Sequence, residues 1–180
     1  MTGAERRTAM TLVCVTRDAR QALAWRDRRE AGATALDVAV LEPELLTGAD
    51  AAVRVAAAAG GGPYALCGGP EAAGPILAFA ARTAPARYPL LRVFLVGTPP
   101  PDTVEERQIP LVLFAGNRDP VAPPDVVAGW RRHFGYVIVR VLDAGPDLLT
   151  SHGNEIFRLI EMHLRLRATP MPPTALEATP

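Results

Sequence analysis

"YALCGGPEAAGPILAFA", residues 64–80, decides the fold. Tyr64 to Gly68 is a short apolar run and reads as a buried strand. Gly68-Gly69-Pro70 is a sharp turn, and residues 71–84 have the small and apolar pattern of a helix. Pro75 falls in or near the helix's first turn, where a missing N–H does little harm. A strand, a glycine turn and a helix in that order commonly mount a nucleophile. Here the position where an attacking Ser or Cys would be expected is Pro70, which has no group to attack with.

The same alternation extends both ways. Strands are expected at 10–16, 34–43, 64–68, 90–97, 109–116 and 136–145. Helices are expected at 18–32, 48–62, 71–84, 123–135 and 151–167, the last with Ile156, Leu159, Ile160, His163 and Leu164 on one face. Repeated strand–helix alternation implies an α/β fold, a mostly parallel sheet flanked by helices in three layers. Residues 10–167 form one domain in this reading, between a loose N-terminal tail (1–9) and a Pro-rich, disordered tail (168–180). Ligands of such sheets bind beyond the carboxyl ends of the strands. The loops of interest are therefore Arg17-Asp18, 68–71, 97–101, 117–120 and 145–151.

Composition narrows the function classes. The chain has 180 residues, with 19 acidic and 19 basic side chains and zero formal net charge. That balance argues against nucleic acid or an anionic membrane surface as partner. Every basic residue is Arg, and with the richness in Ala and Pro this suggests GC-rich coding, so clustered Arg is weak evidence of phosphate binding. Cys14 and Cys67 lie in apolar runs and read as buried, reduced thiols of a cytoplasmic protein. No stretch approaches the ~20 apolar residues of a membrane span, and no signal-peptide core is visible. No metal-ligand spacing, P-loop or G-x-G-x-x-G follows the first strand, so neither a metal nor a cofactor is expected. There is a single serine, Ser151, expected to cap the last helix.

Four phrases in order, "YALCGG" with "LAFAAR", "VFLVGTPPP", "IPLVLFAGNRDPVAPPDVVAGWRRHF" and "VIVRVLDAGPDLL", resemble the α/β-hydrolase fold. More narrowly they resemble the type II thioesterases that accompany polyketide and nonribosomal peptide synthetases, over about Met10 to Leu166. The resemblance places the family's nucleophile serine at Pro70 and the histidine before it at Gly69. It places the acid of the triad at Asp119, which is retained, and the general base at Pro146. The oxyanion loop falls on Arg17-Asp18-Ala19-Arg20, and the helical lid shrinks to a short loop at 98–108. The implied fold is a minimal, lidless α/β-hydrolase without the hydrolytic apparatus.

Two readings lead on these residues, with hydrolysis by a water activated by Asp119 or His152, without a covalent intermediate, as a third and minor one. The first is a non-hydrolytic enzyme of polyketide-like, antibiotic-type biosynthesis that holds an apolar intermediate in an open cleft and promotes cyclisation, cycloaddition or a related rearrangement. Its polar groups would be Asp119, Asp147, His152 and Arg17, with Asp18, Gly69, Pro70, Glu71 and Pro146 lining the cleft. The second is a catalytically dead binding protein that docks to a synthase, a carrier protein or a second copy of itself. Each residue also has a structural reading. Asp119 would cap a turn, Asp147 and His152 would be solvated, and Arg17 would pair with Asp18. Glu71 would be favoured by the helix dipole. His133 and His163 would be structural or exposed, and Trp25 and Trp130 would be packing residues. Cys67 points into the core.

Overall fold

The structure, a computed structural model, describes residues 10–30, 36–83, 90–101 and 109–165. The expected tails at 1–9 and 168–180 lie outside the described residues, as does most of the expected lid remnant. Six strands, β1 (Thr11–Val15), β2 (Asp37–Leu41), β3 (Tyr64–Gly68), β4 (Leu90–Val96), β5 (Leu111–Gly116) and β6 (Val137–Leu142), form one sheet. Its order is β2-β1-β3-β4-β5-β6 and every pairing is parallel. The inner strands are buried on both faces, which explains why they appear in the sequence as continuous apolar runs rather than alternating ones.

Among the described residues six helices cover the faces: α1 (Ala19–Glu30), α2 (Ala51–Ala58), α3 (Pro70–Thr83), α4 (Pro124–Ala128), α5 (Leu148–Ser151) and α6 (Gly153–Arg165). Alternate strand residues feed two cores. Val13, Leu66, Leu95 and Leu113 pack with α2, α3 and Trp130 on one side. Leu12, Cys67, Phe94 and Phe114 pack with Trp25 of α1 and with Ile156, Phe157 and Ile160 of α6 on the other. Trp25 lies with its ring centre 4.8 Å from that of Phe157. Trp130 donates from its indole N–H to the Thr98 carbonyl at 2.9 Å. Both tryptophans are packing residues, as expected.

Helix boundaries differ from the sequence reading: α2 is shorter than the expected 48–62, and three further differences have a local reason. Pro43 does more than end β2; it opens a 3-10 turn, Pro43–Leu46. The expected helix 123–135 is only α4 followed by a 3-10 turn at Gly129–Arg132. The last helix starts at Gly153, because α5 ends at Ser151 and His152 (φ −121°) breaks the run. Ser151 is therefore not the cap of the last helix. Its hydroxyl donates back to the Asp147 carbonyl at 2.9 Å.

One close approach fixes where α3 must start. A Cβ on Gly68 would lie 2.7 Å from Ala72 Cβ, 2.8 Å from Ile76 Cδ1 and 3.1 Å from the Val15 carbonyl oxygen. At Gly69 a Cβ would meet only the Glu71 carboxylate, at 2.9 Å, the end of a flexible side chain. Gly68→Ala should therefore lower unfolding free energy by about 1–3 kcal/mol in urea titrations. Gly69→Ala should stay within about 0.5 kcal/mol of the parent; equal losses at the two sites would contradict this packing.

His163 is buried against two cations. Arg140 Nε donates to its Nε2 at 3.2 Å, and Arg92 Nη1 lies 3.3 Å from its Nδ1. Burial, then the charge of Arg140, then that of Arg92 lower its pKa from 6.5 to about 4. The unfolded chain binds this proton near pH 6.5 and the folded chain only near 4. The contribution to stability is thus complete above pH 6.5 and is lost as the pH falls towards 4, on the order of 3 kcal/mol. Urea midpoints of the parent and His163→Gln should converge over that window, the variant losing less; parallel pH profiles would rule the assignment out.

Candidate functional site

In the sheet, β1 leads sideways to β2 while β3 leads the other way to β4, so their carboxyl ends flank the crevice where ligands of open α/β sheets bind. Val15 and Gly68, the last residues of the two strands, stand in register. The loops that meet there are Thr16-Arg17-Asp18 and Gly69-Pro70-Glu71. Both loops are legible in the sequence; the way they fill the crevice is not.

Pro70 is the first residue of α3, and its ring fixes φ near −65°. Among the described residues no non-glycine residue has a positive φ, and the left-handed glycines are Gly60, Gly61 and Gly97. The strained backbone that lifts a nucleophile out of such a turn is thus absent at Gly68–Pro70. Glu71 folds back over Gly69, its Oε2 2.9 Å from a Gly69 Cβ position. Its Oε1 lies 3.4 Å from the Thr16 hydroxyl, which in turn lies 3.2 Å from Gln21 Oε1. Thr16 is buried. A polar cluster of Thr16, Gln21 and Glu71 therefore bridges the crevice. Thr16 and Gln21 escaped the sequence reading, although a polar residue closing an apolar strand at a switch point was a usable signal.

The loop after β1 is committed to structure. Asp18 caps α1, its Oδ1 accepting from Arg20 N at 2.8 Å and Gln21 N at 3.4 Å. The Asp18 N–H is turned onto the Thr16 hydroxyl at 3.0 Å and so does not point at a developing oxyanion. Arg17 does not pair with Asp18 as expected. It forms an exposed ion pair with Glu44 of the 3-10 turn, because the Asp18 carboxylate is already held by the helix N-terminus.

Asp119 is buried beside Gly97 at the end of β4. Its Oδ1 accepts from Val121 N at 2.9 Å and Ala122 N at 3.1 Å, the turn-capping role of an Asp before a proline. Pro146 and Asp147 are exposed, and the Asp147 carboxylate makes no capping hydrogen bond to α5. His152 Nδ1 is 2.8 Å from Ser151 Oγ. The same hydroxyl also reaches the Asp147 carbonyl at 2.9 Å, so Ser151 Oγ sits between a backbone acceptor and the imidazole. Cys67 is fully buried, and desolvation pushes its thiol up to about 12, leaving no thiolate at neutral pH. Cys14 and Cys67 are thiols, not a disulfide. Among the described residues no three His, Cys, Asp or Glu side chains come together as metal ligands. No helix among them is long and apolar enough to cross a membrane.

Two cavities flank α1. One, about 500 Å³, lies on its β2 side and is lined by Arg17, Leu23, Arg26 and Leu41 among others. The other, about 300 Å³, lies between α1 and α5 and is lined by Asp18, Gln21, Trp25, Asp147 and Leu149 among others. The nine site residues expected from the sequence thus separate. Asp18 and Asp147 share a cavity, Pro146 is exposed beside Asp147, Gly69, Pro70 and Glu71 form the closed turn, and Arg17 faces the opposite side of α1. Asp119 and His152 are held by their own neighbours.

No protein-family model and no curated protein sequence matches the chain. Solved structures do. YbtT, the type II thioesterase of the yersiniabactin NRPS/PKS biosynthetic pathway, superposes with a TM-score of 0.73 at 11% identity, covering 94% of this chain and 98% of that one. BorB, the type II thioesterase of the borrelidin cluster, gives 0.69 at 17% identity over 88% and 94% of the two chains. RedJ, a thioesterase of prodiginine biosynthesis in Streptomyces coelicolor, gives 0.63 at 13% identity over 85% of each. The crevice between β1 and β3, the turn at Gly68–Pro70 and the carboxylate at the end of β5 are thus set in a thioesterase-like α/β-hydrolase fold.

Proposed function

We propose that this chain is a non-hydrolytic, thioesterase-like protein of natural-product biosynthesis that holds an apolar, polyketide-like intermediate without a covalent bond and promotes its cyclisation or a related rearrangement. The observation that carries the non-hydrolytic reading is the turn itself, where Pro70 opens α3 and the Glu71 carboxylate lies over Gly69. Acyl transfer needs a hydroxyl or thiol, a base and donors aimed at an oxyanion. A carboxylate at that position would oppose the developing negative charge.

The ligand's place in this reading is the cavity between α1 and α5. It offers an apolar wall from Ala24, Trp25 and Leu149, and two carboxylates, Asp18 and Asp147, at its rim. At about 300 Å³ it suits one end of an intermediate rather than all of it. Asp147 can hydrogen-bond an enol or hydroxyl of the ligand, while the cavity wall restricts the chain to a folded conformer. Restriction of that kind can contribute up to ~7–11 kcal/mol in the best cases. The rival reading is a binding protein that docks to a synthase or carrier protein. It is favoured by the failure of Arg17, Asp119 and His152 to converge on Asp147.

The two are separated by following a linear polyketone thioester mimic by mass spectrometry and by tryptophan fluorescence. The enzyme reading expects cyclised product, with Asp147→Asn slowing the reaction by about 10²-fold at unchanged Tm. Fluorescence change with no product would leave the binding protein, and neither signal would exclude the cavity as the ligand's place. Separately, Pro70→Ser with Pro146→His should not yield p-nitrophenyl ester hydrolysis above background, since Glu71 and the Asp18 N–H remain as they are. Substantial turnover by that double variant would show that the loop after β1 still stabilises an oxyanion.

A further inference from the structure

The two edges of the sheet are built differently. At the β2 edge Val38 is only 4% exposed, and Asp37, Glu42 and Glu44 surround the strand with carboxylates. The β6 edge has the sequence VIVRVL, with Val141 53% and the adjoining Tyr136 51% exposed. Val126 of α4, which packs beside this strand, is exposed as well. The register with β5 and the bonds Leu111 N–H to the Tyr136 carbonyl and Asn117 N–H to the Leu142 carbonyl direct the even-numbered residues of β6 inward. The N–H and C=O groups of Val137, Val139 and Val141 therefore face outward from the outermost strand.

Soluble proteins guard such an edge with charges, prolines, bulges or a covering element. The one charge on β6, Arg140, is drawn off the edge by its bond to His163. We propose that the β6 edge is the interface with a second copy of this chain, pairing antiparallel about a two-fold axis at Val139 so that the two sheets become one. In that register Val139 opposes the partner's Val139, and Val137 opposes the partner's Val141. Every outward N–H and C=O of the three valines then finds a partner. On one face the valines of both strands meet as β-branched cross-strand pairs. On the other, Arg140 opposes the partner's Ile138, so no like charges face each other. Moving the axis to Arg140 would set the two guanidinium groups directly opposite. The axis at Val139 avoids that repulsion and centres the three valines on one another, and the interface is isologous and closed. It does not depend on the chemistry proposed above.

Sedimentation velocity and amide hydrogen exchange on the full chain test this. The expected result is a species of twice the 19.2 kDa chain mass that dissociates on dilution. The amides of Val137, Val139 and Val141 should be slow in the dimer and fast after dilution, while those of Ile138 and Arg140 stay slow in both. Val139→Pro removes an N–H that the chain's own sheet does not use, and Val141→Lys adds a cation to the valine cluster. Each should weaken association by on the order of tenfold or more; if the proline variant does not fold, the lysine variant decides. A single-chain mass at all concentrations would overturn the proposal. So would a dimer indifferent to both changes, or slow exchange of the three valine amides in a monomer.

Discussion

The contact of β3 with α3 at Gly68 governs the rest of the molecule. With no side chain there, Ala72 and Ile76 approach the strand so closely that a single added carbon would fall within 2.8 Å of both. The helix must then begin at once, and Pro70, with its φ already helical and no N–H to lose, is well suited to its first position. The same geometry in a hydrolase is stretched to lift a nucleophile; here it relaxes into an ordinary helix start. The glycine at the end of β3 and the helix start at Pro70 are therefore parts of one packing arrangement.

The crevice beside this contact is filled by polar side chains. Thr16, Gln21 and Glu71 meet across the ends of β1 and β3, where a thioester carbonyl would need positive or donor groups. Asp18 is drawn into capping α1, and Arg17 is drawn to Glu44. Asp119, the one triad position retained by the resemblance, is held by the two amides that follow it. Each polar residue thus has a local partner within hydrogen-bond or ion-pair reach. In the cavity between α1 and α5, Asp18 and Asp147, carboxylates from two loops, line a common space.

Much of this was legible in the sequence. All-parallel strands buried on both faces leave uninterrupted apolar runs, so the positions of β3 and β4 could be read almost to the residue. That Pro70 stands where the resemblance puts the nucleophile, and that Ser151 is the single serine, was equally plain. Side-chain direction was not legible. Nothing in Arg17-Asp18 says which of the two turns to the helix and which to the 3-10 turn opened by Pro43, because that depends on the chain path at Pro43. The break at His152 was hidden for a similar reason. The apolar face of α6 continues smoothly through the sequence, and the short α5 before it is set by the packing of Leu148 under the loop. His163, read as structural or exposed, proved to be a buried group whose two arginine neighbours come from distant strands.

In a non-hydrolytic protein of this kind no residue should form a covalent bond with an acyl group. Intact-protein mass spectrometry after incubation with an acyl-pantetheine thioester and, separately, a fluorophosphonate tests it directly. The predicted result is an unmodified chain mass of 19.2 kDa in both samples. A stoichiometric adduct, mapped by peptide sequencing to Ser151, Cys67 or any other side chain, would contradict it.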